Sequence, residues 1–433
     1  MKKSNVNFLK YDDKNFKLLF KGILSKRGIV SHNTTDIVKD IILKIRDKGD
    51  KALISMIKKY DHPNIQSLNE IKIGYKLLKS AYNDLPINQK EALKFSLKRI
   101  KKFHEKQIPK PYSYIDDLGV KLGLKYNSIE SVGFYVPGGK ALYPSSVLMN
   151  LIPAVVAGVE KKILVSPISL IDPPKIILAA AYLSEVKEFF SMGGAHSIAA
   201  LAYGTKSIQN VDKIVGPGNS FVAEAKRQVF GNVGIDSIAG PSEILIVSDK
   251  KSNPEWIAYD LLSQSEHDEE AQSILITDDM NFGKTVEKCV KKVLNTLPKK
   301  KIASASWYNN GAIIITDDIS NSFKLINQIS PEHLQLSLKE PNKFLNKIKN
   351  AGAIFLGRYT PEAVGDYVGG PNHVLPTGGS ARFSSGLGVN DFIKRSTYIE
   401  CNKKNLSLLS KHASVLADAE GLYAHKISMQ IRK

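Results

Sequence analysis

The stretch EFFSMGGAHSIAALAYG, residues 188–204, sets a short apolar run before a glycine pair and a helix-forming segment after it. Extended run, glycine turn and helix in that order make one βα unit. The same grammar repeats on both sides. Upstream, SVGFYVPGG (131–139) leads into SSVLMNLIPAVVAGV (145–159), and KKILVSP (161–167) leads into DPPKIILAAAYLSEV (172–186). Downstream, DKIVGPGN (212–219) leads into SFVAEAKRQVFG (220–231), and SEILIVSD (242–249) closes the series. Such alternation predicts a doubly wound α/β sheet, whose ligands sit at the carboxyl ends of the strands. The glycines of GFYVPGG, SMGG and GPGN fall there. Glycine lets a backbone approach a phosphate, and the next helix start favours an anion. Yet no GxGxxG is present, and the second strand ends in Ser166-Pro167 rather than in an acid that would hold a ribose hydroxyl. The turns read either as a nucleotide cradle or as tight βα connections with no ligand.

Past Asp249 the alternation resumes. Helices are predicted in PEWIAYDLLSQSEH (254–267), GKTVEKCVKKVLNTL (283–297) and ISNSFKLINQIS (319–330), and strands in AQSILITD (271–278), GAIIITD (311–317) and AGAIFLG (351–357). The first 130 residues read as mostly helical. TTDIVKDIILKIRDKGDKALISMIKKYD (34–61) has helical spacing, with Thr34 or Thr35 as its cap, and NQKEALKFSLKRIKKFHEKQ (88–107) is a second basic amphipathic helix. Beyond Leu387 the pattern turns helical again, ending in NLSLLSKHASVLADAEGLYAHKISMQIRK (405–433).

A chain of 433 residues is expected to form two or three domains. Its net charge of +19 raises the question of nucleic acid. Arginine supplies only eight of the 61 basic residues, whereas phosphate and base readers lean on the arginine fork. The lysines are scattered, which fits compositional drift better than a built binding face. The amino-terminal residues carry two lysines with no continuous apolar segment behind them, so no signal peptide is expected. No run reaches the roughly 18 apolar residues of a membrane helix. Cys289 and Cys401 form no CxxC pair, in keeping with a reducing cytoplasm.

Chemistry concentrates in three places. In DLLSQSEHDEEAQ (260–272), Gln264 and His267 are three residues apart and share a helix face, either as half of a metal site or as an acidic, solvated helix end. In SPEHLQL (330–336), Glu332 and His333 follow Pro331; neighbours in an extended segment point opposite ways, so two different functions are expected. An imidazole is the usual proton acceptor near neutral pH, and a carboxylate can activate water. TPEAVGDYVGGPNHVLPTGGSARFSSGLG (360–388) reads as a long glycine-rich loop holding Asp366 and His373, and loops of such length are usually functional. Among the other histidines, His32, His62, His104 and His412 read as surface or structural, His196 follows the glycine pair at a strand end, and His425 lies five residues after Glu420.

GFYVPGG, MGGAHSIAALAYG, KIVGPGNSFVAEAKRQV, AGPSEILIV, DLLSQSEHD, PEHLQL, AGAIFLG, GDYVGGPNHVLPT and AEGLYAHK, in this order, resemble histidinol dehydrogenase over almost the whole chain. The resemblance implies NAD- and zinc-dependent oxidation of L-histidinol to L-histidine through an enzyme-held aldehyde, with one zinc per subunit. It implies Gln264, His267, Asp366 and His425 as metal ligands, and Glu332 and His333 as the acid/base pair. Substrate contacts would come from Ser242, Glu420, His333 and the metal ligands, and cofactor contacts from Tyr135, His196 and Asn219. His196 departs from the family, which commonly has Gln there. The resemblance further implies a cytoplasmic homodimer in which the C-terminal segment completes the partner's site, with no nucleic acid and no membrane. The expected architecture is two Rossmann-like doubly wound α/β domains plus small helical terminal segments. Residues 1–30 form the N-terminal segment, 31–134 with 242–387 a discontinuous first domain, 135–241 the second domain on the cofactor side, and 388–433 a helical dimerisation segment. The alternatives are a zinc-dependent hydrolase and a basic RNA-binding protein.

Overall fold

The computed structural model describes residues 6–25, 27, 32–138 and 142–432; Gly139 of the first glycine turn lies outside them. Two six-stranded sheets dominate. The first has the order Asn7–Lys10, Ala312–Ile315, Gln272–Thr277, Glu243–Ser248, His333–Ser337, Ala353–Leu356, all parallel. The second has the order Lys72–Ile73, Glu188–Phe190, Lys161–Val165, Ser131–Tyr135, Lys213–Val215, Gly234–Ile235, parallel except for its first strand. A third, antiparallel sheet joins Ile393–Glu400, Lys121–Ser128 and Tyr112–Ile115.

The central strands are continuous apolar runs because both faces are covered. Along Glu243–Ser248, Leu245 and Val247 pack with Phe16, Phe20 and Phe323, whereas Ile244 and Ile246 pack with Leu261, Val286 and Trp307. This is the period-two alternation of a strand between two helical layers.

Several sequence expectations change. Residues 31–134 are expected to join 242–387 in the first domain, yet the helices of 32–104 pack on the other sheet. Val38, Ile45, Leu53 and Ile57 of helix His32–Tyr60 join Ile163, Val165 and Ile214 on one face. Leu78, Leu93 and Ile100 join Val132, Phe134 and Leu164 on the opposite face. The N-terminal segment is not only helical: Asn7–Lys10 adds an edge strand to the first sheet, before helix Phe16–Leu24. The C-terminal segment is not only helical: after a 3-10 turn at Val389–Phe392, the eight-residue strand Ile393–Glu400 precedes helices Lys403–Ala419 and Tyr423–Gln430. Thr34 and Thr35 lie within helix His32–Tyr60 rather than capping it, and the helix breaks at Gly49, whose φ of 51° suits glycine.

Parallel order fixes where the site lies. Glu243, His333 and Ala353 are neighbours at the amino ends of the first sheet's strands. Helix Pro254–Ser265 runs back from the carboxyl edge and delivers Gln264 to that same end. Asn372 Nδ2 donates to the Met149 C=O at 2.6 Å, tying the 366–373 segment to helix Pro144–Ala157 of the second sheet.

Candidate active site

His333 opens its strand, and Glu332 stands one residue before it. Both reach the same neighbour instead of pointing apart, because Glu332 lies outside the strand's alternation. His333 Nδ1 lies 3.0 Å from the Glu243 C=O, and Glu332 Oε2 accepts from the Glu243 N–H at 2.7 Å. Glu332 Oε2 and His333 Nδ1 are 3.5 Å apart. Burial disfavours the charged imidazole, but the carboxylates of Glu332, Glu362 and Asp366 outweigh it and raise the His333 pKa to about 10.

The expected long loop contains a helix, Glu362–Tyr367, on which Glu362 and Asp366 are one turn apart. The sequence reading missed Glu362; its signal was an acid four residues before Asp366, directly after Pro361. Glu362 is 1% exposed, and its Oε1 lies 3.6 Å from His333 Nε2. Both atoms are buried and lack a hydrogen-bond partner. Burial, reinforced by the Asp366 charge, pushes Glu362 up to about 8 despite the opposing His333 charge. Asp366 goes the other way: burial would raise it, yet the hydrogen bond and charge of His373, with the charge of His333, hold it below the usual carboxylate range. Donor atoms of His333, Glu362 and Asp366 all lie within 4.8 Å of one another, close enough to hold a metal ion. His373, a residue the sequence reading left without a role, bridges the two halves: Nδ1 lies 3.0 Å from the Asp366 C=O and Nε2 3.4 Å from Ser146 Oγ.

Gln264 is buried, and its amide opposes the rise in the Glu362 pKa. His267 lies just beyond the helix, and its N–H donates to the Gln264 C=O at 3.1 Å, which continues the helical turn. Burial lowers the His267 pKa, against the charges of Asp366 and Glu332. Glu332, His333, Glu362 and Asp366 therefore form one buried cluster, and His267 lies within reach of the Asp366 and Glu332 charges. Ser242, half-buried, precedes Glu243 at the same strand end.

Glu420 and His425 do not join this group. Both are exposed, on the C-terminal helix pair.

The residues expected to meet the cofactor stand at the carboxyl ends of the second sheet. Tyr135 ends its strand buried; burial pushes its phenol up to about 12, and its oxygen accepts from the Gly194 N–H at 3.4 Å. His196 is also buried, its Nε2 2.7 Å from Asp61 Oδ2 and its ring stacked on Tyr60. Asn219 caps helix Ser220–Val229, accepting from the N–H groups of Phe221 and Val222. The GPGN glycines serve packing as well: a Cβ on Gly216 would sit 2.0 Å from the Tyr135 C=O, and one on Gly218 would sit 2.4 Å from Val222.

The histidinol dehydrogenase family model matches residues 24–433. Histidinol dehydrogenase 1 of Nostoc sp. is 50% identical over 426 residues, covering 98% of each chain. The histidinol dehydrogenase of Hydrogenovibrio crunogenus is 48% identical over 428 residues, covering 99% of each. The crystal structure of histidinol dehydrogenase from Elizabethkingia anophelis superposes with a TM-score of 0.92 at 34% identity, over 99% of this chain and 98% of that one. With the family model matched over residues 24–433 and relatives about half identical over almost the whole chain, the chain belongs to the histidinol dehydrogenase family.

Proposed function

We propose that this chain oxidises L-histidinol to L-histidine in the cytoplasm, using NAD⁺ and one bound zinc ion per subunit. The balance is one L-histidinol, two NAD⁺ and one water giving L-histidine, two NADH and released protons. The observation that carries the reading is the buried cluster in which His333 Nε2 stands without a hydrogen-bond partner among Glu332, Glu362 and Asp366.

His333 Nε2 takes the alcohol proton of histidinol as hydride leaves the carbon. Its Nδ1 stays committed to the Glu243 carbonyl, so proton traffic runs through one nitrogen. Glu332, held by the Glu243 N–H, activates the water that hydrates the aldehyde. His333 then accepts the proton of the hydrate as the second hydride departs.

Gln264, His267 and Asp366 offer nitrogen and oxygen donors with no thiolate, a set that suits zinc and also Mn²⁺ or Co²⁺. A divalent cation held there would orient the substrate and cancel the carboxylate field that keeps His333 protonated. The fourth ligand, His425, and the substrate contact Glu420 would come from a second copy. Exposure of Val415, Leu416 and Tyr423 on the C-terminal helices, with Leu422 and Ile431 flanking the last one, supports this: clustered exposed apolar side chains call for a cover. In a two-fold dimer each chain lends this segment to the other. Tyr135, His196 and Asn219 would line the cofactor site, with NAD⁺ as hydride acceptor.

The test is stoichiometry. Two NADH formed per histidinol consumed is expected; one NADH with histidinal released, or none, contradicts the proposal.

A further inference from the structure

Arg27 reaches three elements at the amino end of the first sheet. Its Nε donates to Gln272 Oε1 at 2.7 Å and lies 3.3 Å from Glu243 Oε1, and its Nη1 donates to the Ile329 C=O at 2.7 Å. Glu243 Oε1 also accepts from the Gly378 N–H at 3.0 Å. Both side chains are buried, at 8% and 4% exposure.

These contacts converge on the acid/base pair. The Glu243 backbone holds Glu332 through its N–H and His333 through its C=O. Ile329 leads into Glu332 through Ser330, a non-glycine residue with φ of 48°. Such a conformation persists only where its surroundings over-determine it, and Arg27 grips the carbonyl just before it. A buried ion pair is seldom needed for stability alone, since apolar replacements are often neutral. Placement accounts for this one.

We propose that Arg27 and Glu243 are positioning residues for the reaction, locking the starts of two strands and the turn at Ser330 so that Glu332 and His333 keep their shared geometry. The proposal rests on the reading of Glu332 and His333 as the acid/base pair.

The test uses the metal-loaded enzyme. Arg27→Met alone strands a buried carboxylate and can fail to fold, so the principal variant is Arg27→Met/Glu243→Gln, with Glu243→Gln as a milder second. The expected result is a fall in kcat of about 10–100-fold, as small misplacements produce, with KM for histidinol and metal content little changed and the protein folded at the assay temperature. In a His333→Asn background the same substitutions should cost much less, because the residue they position is gone. Unchanged kcat in either folded variant overturns the proposal. So does activity lost only in proportion to unfolded protein, or an equal loss with and without His333. His333→Asn itself is the control on the underlying reading: full activity there would refute the role of His333, independently of Arg27.

Discussion

Glu362 Oε1 faces His333 Nε2 across 3.6 Å, and neither buried atom has a hydrogen-bond partner. The same carboxyl has a donor atom within 4.8 Å of one from Asp366, a proposed metal ligand. Partners of metal ligands commonly matter by about 10–100-fold in metal affinity or activity. Glu362→Gln should therefore reduce kcat/KM for histidinol by that order while leaving the protein folded. Kinetics indistinguishable from the parent chain would remove Glu362 from the site.

Two groupings compete for the ion: Gln264–His267–Asp366, and His333–Glu362–Asp366. Elemental analysis after gel filtration separates them. His267→Ala and Gln264→Ala should come through with little metal, and His333→Asn with nearly a full complement. Metal lost from His333→Asn but kept by His267→Ala would put the ion on the second group.

Glu243 carries a pH signature. Burial, aided by the Glu332 charge and opposed by Arg27, raises its pKa from 4.5 to about 7 in the folded chain. A group that binds its proton more tightly when folded stabilises the fold below the unfolded pKa, and that contribution fades as pH rises through the folded one. The window is thus about 4.5 to about 7, worth on the order of 3 kcal/mol at most. Glu243→Gln cannot titrate, so its Tm relative to the parent should rise across this window. A constant Tm difference from acid to neutral pH would refute the shift.

The dimer proposal makes a quantitative demand. His267→Ala and His425→Ala, each inactive alone, should complement when unfolded together and refolded. In a mixed dimer one site collects both lesions and the other is intact. Random pairing makes about half the dimers mixed, so recovery should approach roughly a quarter of parental activity. No recovery despite proven subunit exchange would place His425 in its own chain's site.

Much of this was legible in the residues. Apolar runs such as SEILIVSD and AQSILITD declared buried parallel strands, and the spacing of Gln264 and His267 survived because the helical turn continues past Ser265. The helices of 32–104 were legible as helices but not as partners of the second sheet, since an amphipathic face does not name what it packs on. The third sheet left no signal: Tyr112–Ile115 is exposed along its whole length and Ile393–Glu400 nearly so, giving no period-two pattern. Glu362 was hidden because glycines and prolines around it read as loop, although a six-residue helix fits between Pro361 and Val368.

Metal-assisted hydride transfer from histidinol requires that NADH formation follow the metal. The most direct measurement is NADH formation by the purified chain before chelation, after prolonged chelation verified by elemental analysis, and after Zn²⁺ or Mn²⁺ is returned. Activity should be lost with the metal and recovered with it. Undiminished NADH formation by verified metal-free protein would rule out a metal-assisted reaction.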